Sequence, residues 1–154
     1  MLPELSAVVL LAASPIQATD PGATSAQPGK TAQLRISLRP GPDGLFNRRG
    51  SSQIQLEQPF GRALTRGLPR GEPWPEDPTH YDRTVPEVVF DVPVPSGARP
   101  GRYPLTLRSE LYLCDASRHA CFRVKGETET VLEVGSTGPP HPVVLQLSIP
   151  GASS

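Results

Sequence analysis

The sequence carries no net charge, since 15 basic residues face 15 acidic ones. Binding to a nucleic-acid backbone draws on a surplus of positive charge, so that class of partner is disfavoured. Lysine is scarce as well, because arginine supplies thirteen of the basic residues. Arginine suits bidentate recognition of carboxylates, but a solvated arginine-rich surface needs no partner at all. There is no internal repeat, no phosphate-cradling glycine loop and no Gly-x-Ser-x-Gly elbow. Nothing therefore signals nucleotide binding or serine hydrolysis. No apolar run reaches the ~20 residues of a membrane-spanning helix.

The N-terminal run Leu5 to Ala13 (LSAVVLLAA) stops at nine residues. It has the length of a signal-peptide h-region, and Ile16-Gln17-Ala18 follows as a small-residue cleavage site. A positive n-region is missing, and Glu4 has the opposite sign. Residues 1–18 are read as such a signal, which places the protein in the periplasm or outside the cell. The alternative is a cytoplasmic chain whose apolar stretch packs on the domain.

What is abundant is proline (20) and glycine (14) among 154 residues, well above their usual combined share of about 12%. Each proline fixes φ and removes a backbone donor, so long helices are excluded over most of the chain. Thr19 to Lys30 (TDPGATSAQPGK) is small, polar and broken, and reads as a linker. Half-buried strands then announce themselves by alternation: Gln33–Leu38, Gln53–Glu57, Val88–Val94, Arg102–Cys114, Cys121–Val134 and His141–Ile149. Gly126 interrupts the fifth of these and suggests a bulge. Between the second and third lies an irregular stretch, Phe60–Asp82, in which Trp74 and Tyr81 are expected to plug the loop onto the sandwich. Its acidic residues Glu72, Glu76, Asp77 and Asp82 read as a solvated face, and His80, His119 and His141 as surface residues. The expectation is an all-β domain over residues 31–150, an immunoglobulin-like antiparallel β-sandwich of about seven strands.

The two cysteines carry the only distinctive chemistry. Cys114 ends one strand and Cys121 opens the next, across the loop Asp115-Ala116-Ser117-Arg118-His119-Ala120. Facing residues of paired strands have Cα atoms ~4.5–5.5 Å apart, within the ~4.4–6.8 Å that a disulfide takes. A bridge here would close a small loop, worth about 2.5 kcal/mol in the chain-entropy model. The polar, small loop residues imply that solvent reaches it. Three readings stand side by side. The bridge is a structural clamp, or a redox-active pair whose thiolate is favoured by Arg118 and His119, or a metal site built from Cys114, His119 and Cys121. Tyr112, two residues before Cys114, matches the spacing of the tyrosine corner of immunoglobulin-like sandwiches.

Residues 109–134, SELYLCDASRHACFRVKGETETVLEV, resemble the C-terminal β-domain of NHL-repeat proteins that also carry a thioredoxin domain. The likeness extends back through PEVVFDVPVP (86–95) and QPGKTAQLRISLRPGPDGLFNRRGSSQ (27–53). More remotely, the chain is similar to the N-terminal domain of DsbD-type thiol:disulfide interchange proteins, an immunoglobulin fold with a redox-active cysteine pair on a hairpin and a loop that caps it. This resemblance implies association with thioredoxin-type redox chemistry, as donor, acceptor or appended module, with Cys114 and Cys121 exchanging electrons with a thioredoxin-like partner. Arg118 is the modulating charge read from the loop itself, and no cofactor or metal is expected. The chain has no Cys-x-x-Cys motif of its own, so that partner is a separate polypeptide. The competing implication, from a different class, is a non-catalytic interaction or stabilising module whose disulfide is inert.

Overall fold

Every strand expected from alternation forms, and six others join them, in a computed structural model that describes residues 14–150. In chain order the first six are β1 (Ile16–Asp20), β2 (Thr24–Ala26), β3 (Thr31–Arg39), β4 (Gly44–Asn47), β5 (Gln53–Glu57) and β6 (Leu64–Gly67). They are followed by β7 (Glu72–Pro73), β8 (Tyr81–Thr84), β9 (Val88–Pro93), β10 (Gly101–Asp115), β11 (Ala120–Val134) and β12 (Val143–Leu147). The smaller sheet runs β1-β12-β3-β9, and the larger runs β2-β11-β10-β4-β8-β7, with β5 paired to β10 and β6. Together they make a β-sandwich. The apolar run Leu5–Ala13 lies outside the described residues.

Alternation explains which faces meet. Ala32, Leu34, Ile36 and Leu38 of β3 point inward beside Val88, Phe90 and Val92 of β9. Opposite them stand Leu105, Leu107, Leu111 and Leu113 of β10, with Val124 and Leu132 of β11. Each fully buried side chain of this size contributes about 1.5–3 kcal/mol over its exposed state, so the two inner faces supply most of the fold's cohesion. Phe60 and Tyr103, with ring centroids 4.9 Å apart, pack at the margin of this core.

Several expectations change. The pairing is not wholly antiparallel: β12 runs parallel to β3, and β2 runs parallel to β11. Thr19–Lys30 is not a linker. It holds the end of β1 and all of β2, and the chain between them crosses from the small sheet to the large one. The crossing is tied by the Thr130 hydroxyl, which donates to the Pro21 carbonyl at 2.7 Å, and by the paired backbones of Ala23 and His141. Gly22 has φ 69°, and a Cβ there would meet the His141 oxygen at 2.7 Å, so only glycine turns this corner. Small polar residues signal looseness in a sequence, but at a sheet edge their backbones pair as well as any.

Gly126 makes no bulge, since β10 and β11 stay in continuous register through Ser109↔Gly126. Its missing side chain is filled from the opposite sheet: a Cβ on Gly126 would lie 2.7 Å from that of Ile16. Ile16, part of the proposed cleavage site, is 3% exposed and belongs to the core. The irregular stretch Phe60–Asp82 carries β6, β7 and the start of β8. Trp74 stacks edge-on against Tyr81 at 5.8 Å, and its backbone N–H donates to the Tyr81 carbonyl. Asp82 leaves the expected solvated face altogether: it is buried and lies 3.3 Å from Arg48. The hydroxyl that ties back to upstream backbone belongs to Tyr103, at the start of β10, which donates to the Arg99 carbonyl at 2.6 Å. Tyr112 instead lies under the Arg123 guanidinium.

Candidate functional site

The two longest strands, β10 and β11, pair along fifteen residues and end in register at Cys114↔Cys121 and Asp115↔Ala120. The turn between them is shaped by Asp115. Its Oδ1 accepts the Ser117 N–H at 2.9 Å, the Ser117 hydroxyl at 2.7 Å and the Arg118 N–H at 3.3 Å. A carboxylate gripping the backbone two and three residues on is how aspartate closes such turns. His119 then takes a left-handed conformation, φ 50°, the only non-glycine among the described residues to do so, and the chain swings back into β11.

Cys114 and Cys121 are joined, with their Cα atoms 4.0 Å apart. Neither sulfur is a thiolate ligand in this state, so the Cys114–His119–Cys121 metal arrangement is not present. The bridge lies on the outer face of the large sheet, because Leu113 beside it points into the core. Sequence reasoning expected a bridge that solvent reaches. The structure makes it unequal: Cys114 is 3% exposed, opposite the buried Leu45 of β4, while Cys121 is exposed.

Arg118 is at the turn, as its number requires, but its charge is engaged. Its Nε donates to Asp115 Oδ2 at 2.6 Å, its Nη2 donates to the Pro150 carbonyl at 3.0 Å, and its guanidinium lies 5.2 Å from the centre of the Phe122 ring. Two other cations near the bridge are matched in the same way, Arg123 by Glu110 and Arg48 by Asp82, while Arg49 is exposed and joins no salt bridge among the described residues. The site is a set of ion pairs around one exposed cysteine.

Hydrogen bonds from Ser117 and Arg118 hold the Asp115 carboxyl well below the usual carboxylate range, at about 2 against 3.8. A depressed pKa stabilises the fold above the unfolded value, and that stabilisation is lost as pH falls from 3.8 through about 2. Melting temperatures measured across this range should fall more steeply for the wild type than for Asp115→Asn, which has no proton to take up. Parallel curves would mean that Asp115 does not hold the turn.

The residue that touches the exposed sulfur was not foreseen. Asn47, the last residue of β4, places Nδ2 3.8 Å from Cys121 Sγ. Its strand (GLFN) escaped notice because Leu45 and Phe46 are adjacent and both buried, on opposite faces, which breaks the alternation used to find strands. The local signal that remained was an asparagine three residues before Gly50, the mark of a side-chain-closed turn. The irregular stretch Phe60–Asp82 ends one strand further out, with Tyr81 paired to Asn47. No family model matches this chain, and no curated protein matches it.

Proposed function

We propose that this domain is a thiol:disulfide exchange module, passing electron pairs between the Cys114–Cys121 bridge and a thioredoxin-like partner. The observation that carries this reading is the unequal exposure of the two cysteines. Exchange proceeds by attack of a thiolate on one sulfur, with the other leaving, and a bridge that presents one sulfur while shielding its mate selects the point of attack. The hairpin itself gives little reason for a staple, since fifteen consecutive pairs already fix its register. The β-sandwich and its cysteine hairpin also fit the resemblance to interchange-protein domains of immunoglobulin-like fold. A bridged pair suits an oxidising compartment such as the periplasm or the exterior.

A second reading rests on the same burial. A thiolate formed at Cys114 would lose hydration and stand next to Asp115, which disfavours opening the bridge. On that reading the pair is a clamp in a non-catalytic interaction module. The reduction potential decides between them, because an inert bridge lies below about −300 mV and an exchanging one above it. The expected result is a value above that mark and reduction by thioredoxin within minutes at neutral pH. A bridge left oxidised for hours would establish the clamp.

A further inference from the structure

We propose that Asn47 is a positioning residue that holds the Cys121 thiolate, making Cys121 the partner-facing sulfur and Cys114 the resolving one. This rests on the exchange reading for its purpose but not for its test. The amide is fixed at both ends. Its backbone pairs with Tyr81 in the β4–β8 ladder, and its Oδ1 accepts the N–H groups of Arg49 and Gly50 at 2.8 and 3.2 Å. With the oxygen so occupied, Nδ2 is the end turned to Cys121 Sγ, at 3.8 Å. A donor that waits beside a sulfur is of small value to a disulfide, whose sulfurs accept weakly. It gains value when that sulfur becomes an anion.

Among the described residues no other group does this for Cys121. From the turn, Arg118 is paired with Asp115, and His119 is exposed at the left-handed position. On the same strand Arg123 is held by Glu110 of β10, and behind β4 Arg48 is held by Asp82 of β8. These pairs cancel at a distance. Arg49, in the Asn47 turn, is exposed and joins no salt bridge among the described residues, so its charge adds to the field, while the amide is the group in contact with the sulfur.

The electron balance is simple. In the reduced module the Cys121 thiolate attacks one sulfur of a partner disulfide. A Cys121–partner S–S bond forms, the partner's own S–S bond breaks, and the departing partner thiolate takes a proton from water. Cys114 gives its proton to water and attacks Cys121 Sγ, restoring the 114–121 bond and releasing the second partner thiolate. Two electrons pass to the partner. Run backwards, the same steps oxidise it.

The test needs no partner. In the reduced protein, iodoacetamide alkylation of Cys121 is followed against pH by mass mapping of its peptide. Asn47→Asp keeps the Oδ1 acceptor and replaces the donor by an anionic oxygen, and Asn47→Ala removes the donor without adding charge. Both should move the Cys121 titration upward, the aspartate variant by about one unit, so that its rate at neutral pH falls about tenfold. Alkylation of Cys114 should be unchanged. A purely structural role for Asn47 would alter melting but leave the Cys121 titration in place, and a folded variant with the wild-type titration overturns the proposal. If the aspartate variant does not fold, the alanine variant decides the question in the same way. A titration that moves while thioredoxin leaves the bridge untouched upholds the role of Asn47 and refutes exchange.

Discussion

A thioredoxin-like protein whose resolving cysteine has been replaced by alanine should be trapped on Cys121 and not on Cys114. Two effects oppose each other here. Attack at Cys121 expels Cys114, a buried thiolate beside Asp115 and so the poorer leaving group. Attack at Cys114 expels Cys121, which the Asn47 amide steadies. A one-unit difference in leaving-group pKa alters the rate by less than about tenfold. Access acts more strongly. Cys114 is 3% exposed and faces Leu45 across the β4 pairing, so a protein thiolate reaches it only after that pairing opens. An opening free energy of about 1.4 kcal/mol already slows attack tenfold, and parting two paired strands in a packed sheet costs more than that. Access wins. Peptide mapping of the trapped complex should find adducts at Cys121 in at least about tenfold excess. Equal adducts would show that the hairpin end opens as fast as exchange occurs, and the asymmetry would lose its meaning.

Ile16→Ala should lower stability by about 2–4 kcal/mol, the range for truncating a buried isoleucine, and melting by roughly 10 °C. Ile16 is 3% exposed and fills the space that Gly126 leaves in the opposite sheet. Gly126→Ala should cost about 1–3 kcal/mol by overpacking, since its Cβ would sit 2.7 Å from that of Ile16, an atom with no freedom to swing aside. The double variant should cost less than the sum, because once β1 is pushed away the isoleucine has little burial left to lose. Denaturant midpoints of the four proteins close this cycle. An Ile16→Ala change below about 0.5 kcal/mol, the level of an ordinary surface substitution, would mean that β1 adds nothing to the sandwich.

Legibility in the sequence followed the period of two. β3, β5, β9, β10 and β11 were all readable because one of their faces is largely buried and the other is not. β12, buried on both faces at Val143 and Val144, was found from the alternation of Val143, Leu145 and Leu147 alone. β1 and β2 are too short and polar to show a period, and β7 is two residues long. β1 and β2 depend on partners far away in the chain. The same holds at the site. Cys114, Cys121 and the turn were local, and their pairing followed from hairpin geometry. The Arg118–Asp115 ion pair was also within reach of sequence, three residues apart, yet its neutralising effect needed the geometry of the turn. Asn47 touches Cys121 across 74 residues, a juxtaposition made by β4 lying beside β10, and no spacing rule encodes that.

The strap formed by β1 and β2 also fixes when the fold can close. Its partners are β12 and β11, the last two strands among the described residues, one in each sheet. β1 and β2 therefore stay unpaired until β11 and β12 are in place. Closing a loop of this length costs about 4 kcal/mol in chain entropy, recovered only when β12 docks on β1. Pairings so distant in sequence fold slowly, so the strap is among the last parts of the sandwich to close.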